Sequence, residues 1–379
     1  MSSYFDYFCQ NIENETREKS TQNVDRILGT CYSMCPEDEV KLREAERLVH
    51  LLEVWGSERR LVKSYSRSAA DSNMAVPHLL RPYSVLANTV QYLLLDVTRR
   101  VDVPESIMYD FVNDRLRAVR QDITIQRLIP TQCVCLLEPM IRFYVYYGYV
   151  LSAHPLKDYD PVLNKKYLLE CLKWYLTCCD SIAKEKGNID ELSGFFSGLE
   201  LNIRESKSKL VNDQALVESL YILCNLDDLH PLYRYLKMTK DLKRQEKLEL
   251  SYEIAIANLQ GNYVKVCRLS EKLCPLLYCA LCTYLPTLQR RALNVTCHAY
   301  NNKRLTVPST ALVRWLCFTT ERDANTVCSH YGLKVNGDAV QFDRSEFKTD
   351  AHLHIPVIRN IRKKFDVSLI DIFTYETSK

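Results

Sequence analysis

Nine glycines in 379 residues leave this chain few places for tight turns or phosphate-cradling loops. Average usage, about 7%, would supply roughly three times as many. A chain so poor in glycine is expected to be helical, and its apolar residues agree. Pro36 at a first-turn position, with Glu37, Asp38 and Glu39 on the positive end of the helix dipole, predicts a helix start. Its stripe is Leu42, Ala45, Leu48, Val49 and Leu52, at i, i+3, i+4 spacing. Further helical tracts are expected at 85–97, from Pro104 to about 129, at 133–151 and from about 165 onward. Residues 152–163 read as a loop, and 186–208, with Gly187, Gly194 and Gly198, as the best internal loop. Helices at 210–225, 231–248, 250–259, 262–270, 271–284 and 287–300 follow. Short antiparallel helices in series suggest a stacked array, although no clean sequence period marks it.

The pattern changes after Asn301. Residues 303–307 are short and extended, Pro308 and Ser309 open a helix through Trp315 and Leu316, and Thr320 caps another over 321–330. Leu333-Lys334-Val335, then Asn336-Gly337, then Ala339-Val340-Gln341-Phe342 read as a hairpin. Asn-Gly between alternating strands suits a type I′ turn with positive φ at both central residues. Helix, helix, hairpin is the winged-helix order, a helix-turn-helix with a β wing. The expected fold class is therefore all-α: a helical-repeat (TPR/PCI-like) array followed by a C-terminal winged helix with a small β-hairpin. The expected domains are a flexible arm over 1–28, a helical domain over 29–302, a winged helix over 303–350 and a basic tail over 351–379.

Composition narrows the function classes. No apolar run approaches the roughly 18 residues of a membrane span. Residues Met1 to Gln10 are aromatic and acidic, without the basic start and apolar core of a signal peptide. A reducing cytosolic or nuclear setting is expected, so the 16 cysteines read as small buried apolar residues rather than a disulfide framework. With a net charge of +3, nucleic-acid binding would need a local patch. Motifs for phosphate loops, dinucleotides and zinc peptidases are missing from the sequence. Cys274, Cys279 and Cys282 lie in an apolar helical tract without a second ligand pair at finger spacing, and read as core thiols rather than zinc ligands. Cys31 and Cys35 with His50 are a second weak metal candidate, and the adjacent Cys297-His298 do not face each other on a helix. Neither enzyme activity nor a cofactor is expected.

Four ordered blocks carry a resemblance. Gly29-Thr30-Cys31-Tyr32-Ser33-Met34-Cys35-Pro36-Glu37 comes first, with Arg43-Glu44 after it. The second is 61–70, with Lys63 and Arg67, leading into Leu80-Arg81-Pro82. The third runs from Tyr109 to Asp122 and holds Asp114, Arg115 and Arg120; the fourth is Glu138 with Ile141-Arg142-Phe143. Gly261-Asn262-Tyr263 and Tyr331-Gly332-Leu333 agree further on. Together they resemble the Sac-three/GANP family over about 29–350. The resemblance implies a helical domain continuing into a winged helix, pairing with a PCI-domain protein, and a small acidic DSS-one-type peptide joining the pair. In the TREX-two mRNA-export complex, paired winged helices present a basic surface to nucleic acid. The sequence lacks the Phe-Gly repeats and long extension of the large scaffolds. Its length matches short members associated with centrosome duplication and mitotic progression.

Several residues carry two readings. Arg115, Arg117, Arg120 and Arg127 lie on one helical tract, where ion pairing within the helix, with Asp110, Asp114 and Asp122, competes with a partner contact. Lys63 and Arg67 suit RNA or packing alike. Phe143, Tyr144, Tyr146, Tyr147 and Tyr149 read as core rather than as base-stacking residues. The nucleic-acid candidates are Lys303, Arg304, Arg314, Arg359, Arg362, Lys363 and Lys364, and 237–247 adds a lysine-rich cluster. Glu321 and Asp323 on the second helix of the expected wing disfavour sequence-specific DNA reading. Leu312, Trp315, Val340 and Phe342 are the candidate partner interface: the helix and wing are too small to bury all of their apolar surface, so some is expected to meet the helical array and some a second protein. Two functions stay open: an RNA-facing scaffold of nuclear mRNA metabolism, expected in nucleus and cytoplasm, or a centrosomal and spindle interaction protein that does not touch RNA.

Overall fold

A computed structural model describes residues 27–66, 75–195, 213–302, 304–355 and 361–373. Among these described residues the protein is mostly helical, with two small sheets. Helix α1 (Glu37–Ala45) ends early, because Arg47 adopts φ 55° and Leu48 N–H turns back to Arg43 O at 2.7 Å. The expected stripe therefore fails: Leu42 and Leu48 are exposed while Arg43 is buried. A buried ion pair, rather than apolar spacing, sets the orientation of α1. After a 3-10 turn at Leu51–Glu53, β1 (Val54–Trp55) and β2 (Glu58–Arg59) form a minimal hairpin.

Helices α2 (Tyr83–Leu95), α3 (Glu105–Gln126), α4 (Pro130–Val150) and α5 (Pro161–Phe195) follow. Arg127 in the left-handed region, with Leu128 N–H on Ile123 O at 3.2 Å, closes α3. Residues 186–195, expected as loop, continue α5, and 196–208 lie outside the described residues. Beyond them come α6 (Gln214–Leu223), α7 (His230–Lys237), α8 (Lys240–Lys243), α9 (Glu246–Leu259), α10 (Tyr263–Ser270) and α11 (Pro275–Ala299). The tract expected as one helix over 231–248 is interrupted at Met238 and Thr239, where Thr239 caps α8. The helices expected over 271–284 and 287–300 are fused instead, with Pro286 inside α11.

The chain then forms β3 (Thr306–Pro308), α12 (Ser309–Leu316), α13 (Glu321–His330), β4 (Lys334–Asn336), β5 (Ala339–Gln341), α14 (Ile361–Phe365) and α15 (Leu369–Phe373). The three strands make an antiparallel sheet in the order β3-β5-β4. Val307 and Val335 both pair with Val340. Asn336 pairs with Ala339, so the two turn residues are Gly337 and Asp338, with Gly337 at φ 64°. Positive φ at the first central residue alone is the type II′ requirement, one position later than the type I′ reading of Asn-Gly.

Two compact units divide the chain. The first joins residues through Tyr144 to 162–212 and the segment from Leu369. Its centre is α3, whose Val112, Leu116, Val119 and Ile123 are fully enclosed. Tyr109 stacks on Phe143 at 5.5 Å, and Tyr144 Oη donates to Asn113 Oδ1 at 2.9 Å. The second unit holds Val145–Pro161 and Asp213–Ser368. One of its cores runs from Ala292, Leu293 and Cys297 on α11 through Leu312 and Leu316 to Val340 and Phe342. Phe143, Tyr144, Tyr146, Tyr147 and Tyr149 are buried, in line with the core reading.

Candidate nucleic-acid interface

The residues that carried the resemblance build a buried polar clamp around α3. Asp122, fully buried, accepts hydrogen bonds from Lys63 Nζ at 2.6 Å and Arg81 Nε at 2.7 Å. Arg81 Nη1 donates to Met34 O at 3.2 Å. One turn on, Gln126 Nε2 donates to Arg81 O at 2.8 Å, and its Oε1 accepts from Gly29 N–H at 2.9 Å. A Cβ on Gly29 would stand 2.3 Å from Leu80 O, so the close approach of this segment needs glycine. Pro36 and Pro82 act locally, each at the N-cap of its helix, α1 and α2.

Glu53 is the second centre. It accepts from the His50 and Val62 amides at 3.0 Å each, pairs with Arg43, and meets Arg115 at 3.4 Å. Burial alone raises its carboxyl, but Arg43, the two amides and Arg115 outweigh that and hold it below the ordinary glutamate range. Beside it, burial and the charge of Glu39 push the Cys35 thiol up to about 12. Cys31 Sγ donates to Ser33 O at 3.3 Å, while His50 Nδ1 accepts from Leu52 N–H at 3.2 Å and its ring stacks on Phe111. These three groups have structural work in the clamp.

Arg115, Arg117 and Arg120 on α3 are likewise held inside the molecule, and of the acids expected from the helix itself only Asp114 pairs with one of them. Arg115 pairs with Asp114 and Glu53, and Arg120 Nη1 reaches Glu170 at 3.0 Å. Arg117 lies over the Tyr65 ring at 3.7 Å. Arg142 pairs with Glu138 at 2.8 Å and donates to Ile372 O at 3.3 Å. Their partners come mostly from other elements rather than from one helical turn away. Lys63 packs inside, and Arg67 lies outside the described residues.

The nucleic-acid candidates that the structure describes belong to the second unit. Arg304 and Arg314 are exposed, as are Arg362, Lys363 and Lys364 on α14; Lys303 and Arg359 lie outside the described residues. Lys364 Nζ stands 3.4 Å from the Tyr278 ring centroid, near the start of α11, whereas Arg304 follows the end of α11 at Ala299. At 1.5 Å rise per residue those two ends are roughly 30 Å apart. The described candidate cations therefore fall into two clusters.

Around Arg304 the structure adds cations that sequence reasoning missed. Arg344 N–H bonds Asn301 Oδ1 at 3.3 Å. With Lys334, Asn301 and Ser345 it lines an open cavity of about 680 Å³. Asp343 and Glu346 share that lining, and Glu346 sits 3.9 Å from Lys334. The only sequence signal was Lys334 as the outward residue of an alternating strand.

Of the four expected partner-interface residues, Leu312, Val340 and Phe342 are fully enclosed, and only Trp315 is half-buried. Three of the four are thus core against the helical array rather than surface for a partner. Residues from α11 complete their core, and Gln289 Nε2 secures the end of α12 through Leu316 O at 2.8 Å.

A profile of the SAC3/GANP family matches residues 34–337. The chain belongs to the SAC3/GANP family. Protein xmas of Drosophila melanogaster is 29% identical over 328 residues, 81% of this chain and 15% of that protein. SAC3 family protein B of Arabidopsis thaliana is 25% identical over 84% of this chain and 18% of its own length. SAC3 family protein 1 of Schizosaccharomyces pombe is 24% identical over 90% of this chain and 34% of its own length. This chain thus spans 15% to 34% of these relatives. The match to the SAC3/GANP family covers the clamp from Met34 through Asp122 and ends at Gly337, the hairpin turn.

Proposed function

We propose that this protein is a non-catalytic scaffold of nuclear mRNA metabolism and export. In this reading residues 29–302 are the helical domain, 303–350 a winged helix and 351–379 a basic tail. The winged helix pairs with that of a PCI-domain protein, a small acidic DSS-one-type peptide joins the pair, and the complex meets RNA through exposed cations in nucleus and cytoplasm. The observation that carries the reading is the C-terminal order β3, α12, α13, β4, β5, packed on α11 within a chain of the SAC3/GANP family. Arg304, Arg314 and Arg344 are the exposed cations on and beside those elements. Half-buried Trp315 is the remaining apolar contact for a partner.

The test co-expresses the full chain with a PCI-domain partner and measures binding to a short single-stranded RNA across a salt series. A stable heterodimer with steeply salt-dependent RNA affinity is expected. A monomer that takes up no PCI protein and binds RNA no better than its charge-reversed variant overturns the reading. The centrosomal and mitotic role of short members would then lead.

A further inference from the structure

Past the wing the chain turns back over the end of α13. Phe347 stacks on the Tyr331 ring at 5.6 Å, and Lys348 N–H donates to Tyr331 O at 2.9 Å. Further along, two histidines close the contact. His330, the last residue of α13, donates from Nε2 to His352 O at 2.8 Å. A carbonyl only accepts, so Nε2 carries the hydrogen and Nδ1 of that ring is left to take a proton. His354 N–H donates to Tyr331 Oη at 3.3 Å, and its ring meets the His330 ring edge-on, with centroids 5.3 Å apart. His354 Nδ1 is buried and bonds no other residue among those described. Burial, then the charge of His330, hold this imidazole below the ordinary histidine value of 6.5. Asp323 on α13 and a contact with its own peptide oppose them by less. Lys348, Asp350 and His352, on the returning segment itself, are exposed.

We infer that His330 and His354 are a proton-operated latch, which holds the segment 351–355 on the end of α13 near neutral pH and releases it when both rings are charged. A proton on His354 Nδ1 is a buried N–H without an acceptor, and charging both rings sets two cations against each other at 5.3 Å. The direction follows from proton linkage. His354 binds its proton less readily in the closed state than when released, so closure is fully favoured above about 6.5 and fades as pH falls below it. The Phe347 stack and the Lys348 backbone bond involve no imidazole, so the segment stays anchored at that end and opens from the other. What opens leads on in the chain to α14 and its cations, and what it bares is the Tyr331 hydroxyl. The latch needs neither RNA nor a partner.

The test is hydrogen exchange of the full chain, read at the His354 amide and scaled to the intrinsic rate at each pH. Protection of that amide should fall roughly tenfold between about pH 7.5 and about pH 5.5. The Leu333 amide, which bonds Cys328 O at 3.0 Å, should keep its protection and marks the intact wing. His330→Gln retains a donor for His352 O but cannot be charged, so its His354 amide should stay protected at both pH values. His354→Phe, a neutral ring for the same place, is the second variant and should behave alike at position 354. A His354 amide that is unprotected at neutral pH overturns the inference, and so does protection that does not change with pH. A fall of wild-type size in both variants overturns it too, as does a parallel fall at Leu333, which would mean that the whole wing loosens.

Discussion

Asp122 sits fully buried between two cations. Lys63 and Arg81 reach it from segments far away in sequence, and all three side chains are nearly or fully enclosed. A buried pair is costly to break from one side, because the orphaned charge stays desolvated. Asp122→Asn should therefore cost about 3–5 kcal/mol, read as a lower urea midpoint with the slope of the transition unchanged. A loss under 1 kcal/mol would mean that the two cations find other partners. Glu53 sets a pH prediction. Its folded carboxyl titrates below the ordinary value of 4.5, so its stabilisation is present above that value and fades as pH falls through the folded value. Wild-type stability should fall on acidification below about pH 4.5, and Glu53→Gln should lower stability at neutral pH and flatten that fall. Equal acid slopes in urea titrations of the two proteins would count against the clamp.

At the scale of elements, two glycines near the C-terminal sheet separate strain from crowding. Gly337 has positive φ but open space around it, so Gly337→Val meets backbone strain alone, about 1–2 kcal/mol. Gly332 has φ 88° and a Cβ there would stand 2.4 Å from Glu346 O. Gly332→Ala should lower the thermal midpoint more than Gly337→Val, despite the smaller side chain. The reverse order would displace the hairpin. Element boundaries also mark what was legible. The helix of 321–330 was visible in Thr320, and its capping box is in place at 3.1 Å each way. The end of α1 was not, since Arg47 at positive φ is no sequence signal for a stop. Nor was the fusion across Pro286, where a proline usually breaks a helix.

The whole molecule decides which cations remain available to a partner. Arginines on α3 are spent inside, while Arg304, Arg314 and Arg344 stay exposed. Each cation withdrawn from a phosphate should lower the slope of log affinity against log salt by about 1. Reversing Arg304, Arg314 and Arg344 should reduce that slope by roughly three while the heterodimer survives. Reversing Arg362, Lys363 and Lys364 tests the other end of α11 separately. An equal drop from both sets would mean that RNA spans the roughly 30 Å between them. A drop from neither would leave the mitotic reading in front. As for membranes, among the described residues no helix is long and apolar enough to cross one.

By itself the sequence determined the helical class, the strand, helix, helix, hairpin order after residue 301, and the SAC3/GANP family, because these rest on local signals: scarce glycine, capping residues, alternation and ordered motif blocks. Only the tertiary structure decided what the motif residues do. Gly29, Arg81, Asp122 and Gln126 meet across as many as 97 positions, and such a pairing leaves no periodicity to read. It also decided that Leu312, Val340 and Phe342 are core, because the apolar surface that covers them comes from α11, outside the segment whose size suggested otherwise. Burial depends on what the rest of the chain brings alongside, and no local window contains that.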